Sequence, residues 1–304
     1  MSHAAILALA LVLDAVLGEP ERLWRRVPHP AVLMGRAVAW AEQRFNRANA
    51  GRAGLAVIAG LGAAAFGLGA GLAALPGGDW IAVALAAVLL AQRSLADHVR
   101  AVAEGLHAGP QAGRAAVARI VGRDTADLDE SAVARAAIES AAENLSDGVV
   151  APAFWFLLLG LPGLLVYKLV NTADSMIGHR TPRYRAFGRA SARLDDLLNW
   201  IPARLTAVII LAAHWRLDAL GAVARQAPRH RSPNAGWPEA AMAHVLGVAL
   251  SGPRSYAGGM RDFAWLNRRG RQTLVARDVE RAVTVLWRSW SVLLVAAGAL
   301  ALVW

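Results

Sequence analysis

The fold is decided by residues 139–148, Glu-Ser-Ala-Ala-Glu-Asn-Leu-Ser-Asp-Gly, and by the apolar run at 149–170 that follows them. On a helix, Glu139, Glu143 and Asp147 recur every four residues and share one side. Three carboxylates in a column repel one another, so arginines or a divalent metal should face them. Because the apolar run is long enough to cross a bilayer, the stretch predicts an acidic site at a membrane surface. The alternative is a solvated helix end whose acids pair with neighbouring arginines.

The composition indicates a membrane protein. The chain has 304 residues, of which 56% are hydrophobic and 18% are charged, and its mean hydropathy is +0.38. A soluble domain is usually less apolar and more charged. We therefore predict an all-α, polytopic integral membrane protein with four to six apolar helices and cytoplasmic amphipathic helices, forming a single membrane-embedded domain over residues 1–304.

The charge balance points to anionic partners. The net charge is +10, and Lys168 is the only lysine, so almost all 32 basic residues are arginines. They lie beside apolar segments and no nucleic-acid motif is present, which favours lipid and phosphate-bearing ligands over nucleic acid. The absence of cysteine excludes disulfides and thiolate metal sites.

Apolar runs at 4–17, 54–75, 80–91 and 291–303 predict membrane helices. The first reads as a retained helix, and Asp14 with Glu19 would form a polar site at the membrane interface. Residues 36–52 are amphipathic and basic, which indicates an interfacial helix. The positive-inside rule then places the arginine-rich flanks in the cytoplasm and the N-terminus outside.

The run at 149–170 is interrupted by Gly160-Leu161-Pro162-Gly163. A re-entrant hairpin broken there would keep the basic loop at 171–203 on the cytoplasmic side, and broken helices are tolerated where they line a protein cavity. Asp127 with Glu130 resembles a capping box that begins the preceding helix, and Gly148 is placed to end it.

Polar clusters flank these apolar runs. His29 stands between two prolines, which fix the direction of its imidazole. Asn171, Asp174 and Ser175 share a helical face, as do Asn199 and either Asp195 or Asp196, and such oxygen-rich sets suit Mg²⁺ or metal-bound phosphate. The loop at 230–239 carries His230, Arg231, Ser232, Asn234 and Trp237. For each cluster the alternative is a helix cap or an ordinary salt bridge.

No P-loop, dinucleotide fingerprint, nucleophile elbow or His-Glu-x-x-His motif is present. The residues alone therefore indicate a polytopic membrane protein that binds Mg²⁺ and phosphate through carboxylates and arginines.

The order of these stretches resembles the cobalamin-biosynthesis family of adenosylcobinamide-phosphate synthases, known as CobD or CbiB. The matching segments are 13–20, 28–36, 139–152, 167–180, 189–204 and 230–241. The resemblance implies an integral protein of the cell's inner membrane with its active site facing the cytoplasm. It also implies a carbon–nitrogen ligase that uses ATP and Mg²⁺ to join adenosylcobyric acid to aminopropanol or its phosphate, and possible contact with other enzymes of the pathway.

An amide made from a carboxylate needs an activated acyl group, commonly an acyl phosphate. On this hypothesis the catalytic residues are His29, Glu139, Glu143, Asp147, Asp174 and His230. The metal ligands are Glu143, Asp147, Asp174, Asp195 and Asp196. The substrate- or ATP-binding residues are Arg36, Asn144, Asn171, Arg180, Arg189, Arg193, Asn199, Arg204, Arg231, Ser232, Asn234 and Trp237.

Two other classes of function compete with this one. A transporter for an anionic or corrinoid solute usually carries polar residues near the bilayer midplane and often inverted repeats, whereas the polar residues here lie at the ends of apolar runs. A non-catalytic scaffold for corrin-pathway enzymes has no need of four acidic and arginine-rich clusters. All the clusters are expected to converge on one pocket.

Overall fold

The computed structural model describes residues 1–18, 24–47, 50–122, 124–256, 259–261 and 263–303. The chain divides into two compact units. The first comprises Met1–Ala91, Ala151–Asn199 and Ala296–Trp304, and the second comprises Gln92–Val150 and Trp200–Val295. A single domain over residues 1–304 stays a prediction.

Helices dominate both units, as the composition predicts. In chain order they are α1 (His3–Leu17), α2 (Pro30–Phe45), α3 (Gly51–Ala73), α4 (Gly78–Leu89), α5 (Gln92–Ala108), α6 (Pro110–Val117), α7 (Glu130–Leu145), α8 (Ala151–Ile177), α9 (Arg189–Leu198), α10 (Trp200–Ala212), α11 (Leu220–Gln226), α12 (Gly236–Leu246) and α13 (Ala276–Val303). Short 3₁₀ turns occupy Leu217–Ala219 and Ala227–Arg229. Two antiparallel pairs of short strands, β1 (Leu250–Ser251) with β4 (Trp265–Leu266) and β2 (Arg254–Tyr256) with β3 (Gly259–Arg261), precede α13.

The membrane assignment is confirmed. Within the described residues, four helical segments are long and apolar enough to cross a bilayer: Gly51–Ala73, Gly78–Ala108, Glu130–Ile177 and Ala276–Val303. Two shorter apolar helices, His3–Leu17 and Trp200–Ala212, bring the total within the predicted four to six. The chain is an all-α polytopic membrane protein.

A side-chain cap explains where α7 begins. The Oδ1 atom of Asp129 accepts a hydrogen bond from the backbone N–H of Ala132 at 2.7 Å and caps α7, so the predicted cap at Asp127 was wrong by two residues. The predicted helix over 36–52 was correct for residues 36–45 but wrong in its bounds, because α2 runs from Pro30 to Phe45 and α3 begins at Gly51.

The acidic helix does not stop at Gly148, contrary to prediction. Residues Ser146–Val150 form a π-helical turn that leads directly into α8. A π-turn inserts an extra residue into the helical repeat and is often found at functional sites. The four-residue spacing from Glu143 to Asp147 therefore does not guarantee a shared face.

The predicted break inside the apolar run is confirmed. Gly160 adopts φ 64° and ψ −152°, a conformation that favours glycine, and it interrupts α8. Residues eight apart on a straight helix are separated by about 12 Å along its axis. Here, a Cβ atom at Gly163 would lie only 2.5 Å from the backbone oxygen of Trp155. The chain therefore bends sharply here, and its second arm extends to Ile177 rather than to residue 170. A re-entrant path through the bilayer stays a prediction.

Each unit has its own core. In the first, Val38, Ile58, Val170 and Phe187 belong to one cluster of buried side chains. In the second, a larger cluster is built on α7, with buried residues of α5, α10, α12 and α13. These cores fix the helix ends that carry the polar residues.

Gly69 of α3 lies against the broken turn of α8. A Cβ atom there would lie 2.6 Å from the Cα atom of Pro162. We expect Gly69→Ala to lower the unfolding free energy by about 1–3 kcal/mol, the usual cost of overpacking a close contact. Gly67→Ala and Gly71→Ala are matched controls on the same helix, because a Cβ atom at either position meets nothing within 4 Å. Thermal unfolding in detergent checks this, and equal melting temperatures for all three variants would contradict the packing.

Candidate functional site

In the first unit, a chain of hydrogen bonds joins α8 to the end of α9. The hydroxyl of Tyr167 donates to Oδ1 of Asn199 at 2.9 Å, and the Nδ2 atom of Asn199 donates to Oδ2 of Asp195 at 3.0 Å. The Nδ2 atom of Asn171 donates to Oδ1 of Asp195 at 3.3 Å. Both carboxylate oxygens of Asp195 are thereby held in place by side-chain amides.

Three carboxylates influence one another at this position. Burial, the largest cause, and the negative charge of Asp174 together raise the pKa of Asp195 to about 7, although hydrogen bonds from Asn171 and Asn199 act in the opposite direction. The pKa of Asp196 is also raised, because its burial outweighs the opposite effect of the nearby Arg180 guanidinium. An acidic group shifted upward in this way indicates a region that a cation would stabilise.

The raised pKa of Asp195 predicts a pH-dependent stability. The folded protein retains a proton that the unfolded chain releases near pH 4, so stability should fall as the pH rises from about 4 to about 7. Asp195→Asn mimics the protonated group and should flatten this part of the curve. Melting temperature measured against pH in EDTA checks this, with the exposed Asp218→Asn as control. An unchanged slope in Asp195→Asn would contradict the assignment.

A cavity of about 690 Å³ opens beside these carboxylates. Its wall, here called the arginine pocket, includes Arg180, Arg185, Arg189, Arg193, His179 and Asp196. The loop at 178–188, which carries His179, Arg180 and Arg185, is tightly folded, because a Cβ atom at Gly178 would collide with the Asp174 carboxylate and one at Gly188 with the Ile177 carbonyl. Four guanidinium groups around one cavity suit a polyanion such as a phosphate chain.

The side chains of this region offer the type of ligand atom that Mg²⁺ prefers. Asp174, Asp196 and Asn171 offer oxygen atoms, which Mg²⁺ prefers, and it usually binds through one or two carboxylates together with substrate phosphates and water. Within the described residues, no group of three or more acidic or histidine side chains is arranged to hold a metal by itself. The arrangement therefore suits a metal that arrives with a phosphate ligand.

In the second unit, the acidic stripe does not form one solvent-facing column. Glu139 is buried, and its Oε1 atom accepts a hydrogen bond from the backbone N–H of Ser251 at 2.6 Å. Glu143 is exposed, Asp147 is half-buried within the π-turn, and the exposed Asn144 donates to the Ser140 carbonyl at 2.9 Å. Glu139 thus anchors β1, whereas Glu143 and Asp147 remain accessible.

His230 is held by two contacts in the same unit. Its Nδ1 atom accepts from the backbone N–H of Ser232 at 3.2 Å, and its Nε2 atom lies 3.5 Å from Oε1 of Glu239. The two side chains are only 6% and 3% exposed. Ser232 accepts the backbone N–H groups of Asn234 and Ala235 just before α12 begins. The loop is an ordered turn built around a buried histidine–carboxylate pair.

Arg204 stacks between two indoles. Its guanidinium carbon lies 4.2 Å from the ring centroid of Trp200 and 4.7 Å from that of Trp237. It also donates to the Trp200 carbonyl at 2.6 Å. Cation–π contacts of this kind fix the side chain and join α10 to the start of α12. Arg231 is exposed and Asn234 is buried in the intervening loop.

The N-terminal candidates have different positions. His29 caps α2, since its Nδ1 atom accepts from the N–H of Ala31 at 3.1 Å, and its Nε2 atom lies 3.2 Å from the Val88 carbonyl. Both ring nitrogens therefore serve the fold. Arg36 is exposed on α2, Asp14 is buried in α1, and Glu19 lies outside the described residues.

Comparison with known proteins assigns the chain to a family. The chain matches the family model described as CobD/Cbib protein over residues 7–286. The chain belongs to the CobD/CbiB family. It is 51% identical to cobalamin biosynthesis protein CobD of Rhizobium meliloti, covering 98% of this chain and 96% of that protein. The proteins of the same name from Brucella suis and Rhodobacter capsulatus are 49% and 46% identical, covering 95% and 100% of this chain and 94% and 99% of theirs.

A CobD/CbiB protein has a role in cobalamin biosynthesis, as the resemblance implies. No solved structure matches the chain. Asp174, Asp195 and Asp196 belong to the first unit, and Glu143, Asp147 and His230 belong to the second. Convergence of both groups on one ligand stays a prediction.

Sequence reasoning missed several side chains of this CobD/CbiB protein. Glu239 was not predicted as the partner of His230, and Tyr167 was not predicted to hold Asn199. Arg185 and His179 complete the arginine pocket. The arginine-rich composition of residues 178–193 was the available signal for the last two.

Proposed function

We propose that this protein is an ATP- and Mg²⁺-dependent amide synthetase that joins adenosylcobyric acid to aminopropanol or its phosphate. The observation that carries the proposal is the arginine pocket beside Asp174, Asp195 and Asp196. A cluster of cations next to a cluster of carboxylates suits a nucleotide triphosphate with its metal. Family membership supplies the corrinoid context.

The reaction requires two transfers. A carboxylate oxygen of adenosylcobyric acid attacks the terminal phosphorus of ATP, forming an acyl phosphate and releasing ADP. The amine nitrogen then attacks the acyl carbon, phosphate leaves, and the nitrogen loses a proton as the amide forms. Both steps develop negative charge on phosphoryl oxygens, which positioned cations stabilise.

The arginines have the first role in this scheme. Arg180, Arg189 and Arg193 would bind the phosphate chain and hold its terminal group in the cavity, with Arg185 as an additional donor. Asp174 and Asp196 would hold Mg²⁺, which when bound supplies charge neutralisation at the phosphate oxygens. Asn171 and Asn199 fix Asp195 and so preserve the shape of the carboxylate cluster.

A carboxylate is the better candidate than a histidine to accept the amine proton. His29 and His230 both accept a backbone N–H at Nδ1, and the other nitrogen of each ring lies near a carbonyl or carboxylate oxygen. Neither ring therefore presents a lone pair to a substrate in this structure. Glu143 and Asp147 are accessible carboxylates and stay candidates for this role.

Purified protein in detergent or nanodiscs tests the proposal. With ATP, Mg²⁺, adenosylcobyric acid and either amine, we expect one ADP for each amide formed, and little ATP turnover when the amine is omitted. Amide formation without ATP, or ATP turnover unrelated to the amide, would contradict it. A transporter or a scaffold would give neither product. Comparing kcat/KM for aminopropanol and its phosphate identifies the preferred amine.

A further inference from the structure

A second cavity, of about 520 Å³, lies next to the arginine pocket, at the start of α3 and along α9. We call it the amphipathic notch. Its wall includes Gly51, Leu55, Arg189, Arg193, Leu194 and Leu197. All of these residues belong to the first unit.

The basic part of the notch consists of two arginines one helical turn apart. Arg189 and Arg193 are both exposed on α9. Among the residues that the structure describes, no carboxylate forms an ion pair with either guanidinium. By contrast, the neighbouring Arg183 is paired with Glu42 at 2.9 Å. The two cations of the notch are therefore available to an external anion.

The apolar part of the notch is open. Leu55 is 60% exposed and Leu197 is 69% exposed. Leu55 lies near the beginning of α3, which is 23 residues long and a candidate membrane span. Only 11% of the most apolar 18-residue stretch of this helix is buried within the protein. Hydrocarbon chains of a bilayer would cover such a surface, whereas water would leave it exposed at a cost.

We propose that the notch binds an anionic phospholipid, with its phosphate between Arg189 and Arg193 and an acyl chain along Leu55 and Leu197. The charges are complementary, and the exposed Leu55 belongs to α3, which is long and apolar enough to cross a bilayer. A free phosphate ion would satisfy the arginines but leave the leucines uncovered. A zwitterionic lipid would bring its own cation towards the arginines. Arg189 and Arg193 also line the arginine pocket. Each guanidinium has five N–H donors, so it could contact the lipid phosphate on the notch side and a phosphate chain on the pocket side.

Native mass spectrometry of the delipidated, full-length protein tests this with three probes: phosphatidylglycerol, phosphatidylcholine and inorganic phosphate. We expect the protein to bind added phosphatidylglycerol and its melting temperature to rise with this lipid, but not with phosphatidylcholine or inorganic phosphate. Arg189→Gln/Arg193→Gln should weaken phosphatidylglycerol binding on the order of tenfold or more, since each basic residue near an anionic surface contributes about 1 kcal/mol. Arg189→Lys/Arg193→Lys should retain most of the binding.

The matched control is Arg225→Gln/Arg229→Gln, which removes two exposed arginines at the same spacing elsewhere on the chain. It should bind phosphatidylglycerol like the unmodified protein. Leu197→Ser should weaken lipid binding without changing the charge. Equal loss in the control pair would show non-specific attraction and overturn the site. Phosphate binding as tight as lipid binding would also overturn it, because the leucines would then contribute nothing. Lipid is measured without substrates, so the result does not depend on the proposed ligase reaction.

Discussion

Asp174→Asn is expected to reduce kcat for amide formation by about 10²–10³-fold, the range found when one positioned electrostatic group is removed from an active site. Asp174 stands at the end of α8, where its carboxylate influences Asp195 and lies over Gly178 at the entrance to the arginine-rich loop. The substitution keeps the shape of the side chain and removes its charge. It would therefore remove a metal ligand while leaving the loop in place.

Two measurements separate this role from a structural one. The concentration of Mg²⁺ needed for half-maximal activity should rise in Asp174→Asn, while the melting temperature without metal should not fall. Asp218→Asn, on an exposed turn of the second unit, serves as the control and should retain full activity. A folded, membrane-inserted Asp174→Asn protein with the unmodified rate and Mg²⁺ dependence would remove this residue from the scheme.

The arginine pocket gives the second large effect. We expect Arg180→Gln and Arg193→Gln each to lower kcat/KM for ATP by about 10²-fold or more, because a cation aligned with a transferring phosphoryl group can contribute 10³–10⁵ in rate. Arg180 is also the cation that acts on Asp196, which connects the arginine and carboxylate groups.

The matched control is Arg183→Gln, three residues from Arg180 in the same loop. Arg183 forms two hydrogen bonds of 2.9 Å to Glu42 and does not line the arginine pocket. It should change ATP kinetics little. If Arg183→Gln reduced kcat/KM as much as Arg180→Gln, the general charge of the loop, rather than the pocket, would be responsible.

The sequence predicted features that depend on near neighbours. The Gly160-Leu161-Pro162-Gly163 run predicted the break in α8, because proline lacks a backbone donor and glycine permits positive φ. The four-residue spacing of Asp195 and Asn199 predicted a shared face, and their side chains do form a hydrogen bond. Local backbone chemistry was sufficient for the break, and helical periodicity was sufficient for the hydrogen-bonded pair.

Features that depend on distant residues or altered periodicity were not predictable in the same way. The π-turn at Ser146–Val150 changes the repeat within the acidic stretch, so the direction of Asp147 does not follow from counting residues. Glu139 is satisfied by the backbone of Ser251, which lies 112 residues later. The pairing of His230 with Glu239 depends on a turn whose path is set by Ser232 and the close approach of Gly236 to Ala227.

An isotope-transfer measurement tests the central claim most directly, that ATP activates a carboxylate of the corrinoid for attack by the amine. Adenosylcobyric acid labelled with oxygen-18 in the reacting carboxylate is converted by the purified protein, and the released phosphate is analysed by mass spectrometry. An acyl phosphate predicts that one labelled oxygen appears in inorganic phosphate for each amide formed. Amide formation with unlabelled phosphate, or with the label in AMP, would contradict the proposed reaction.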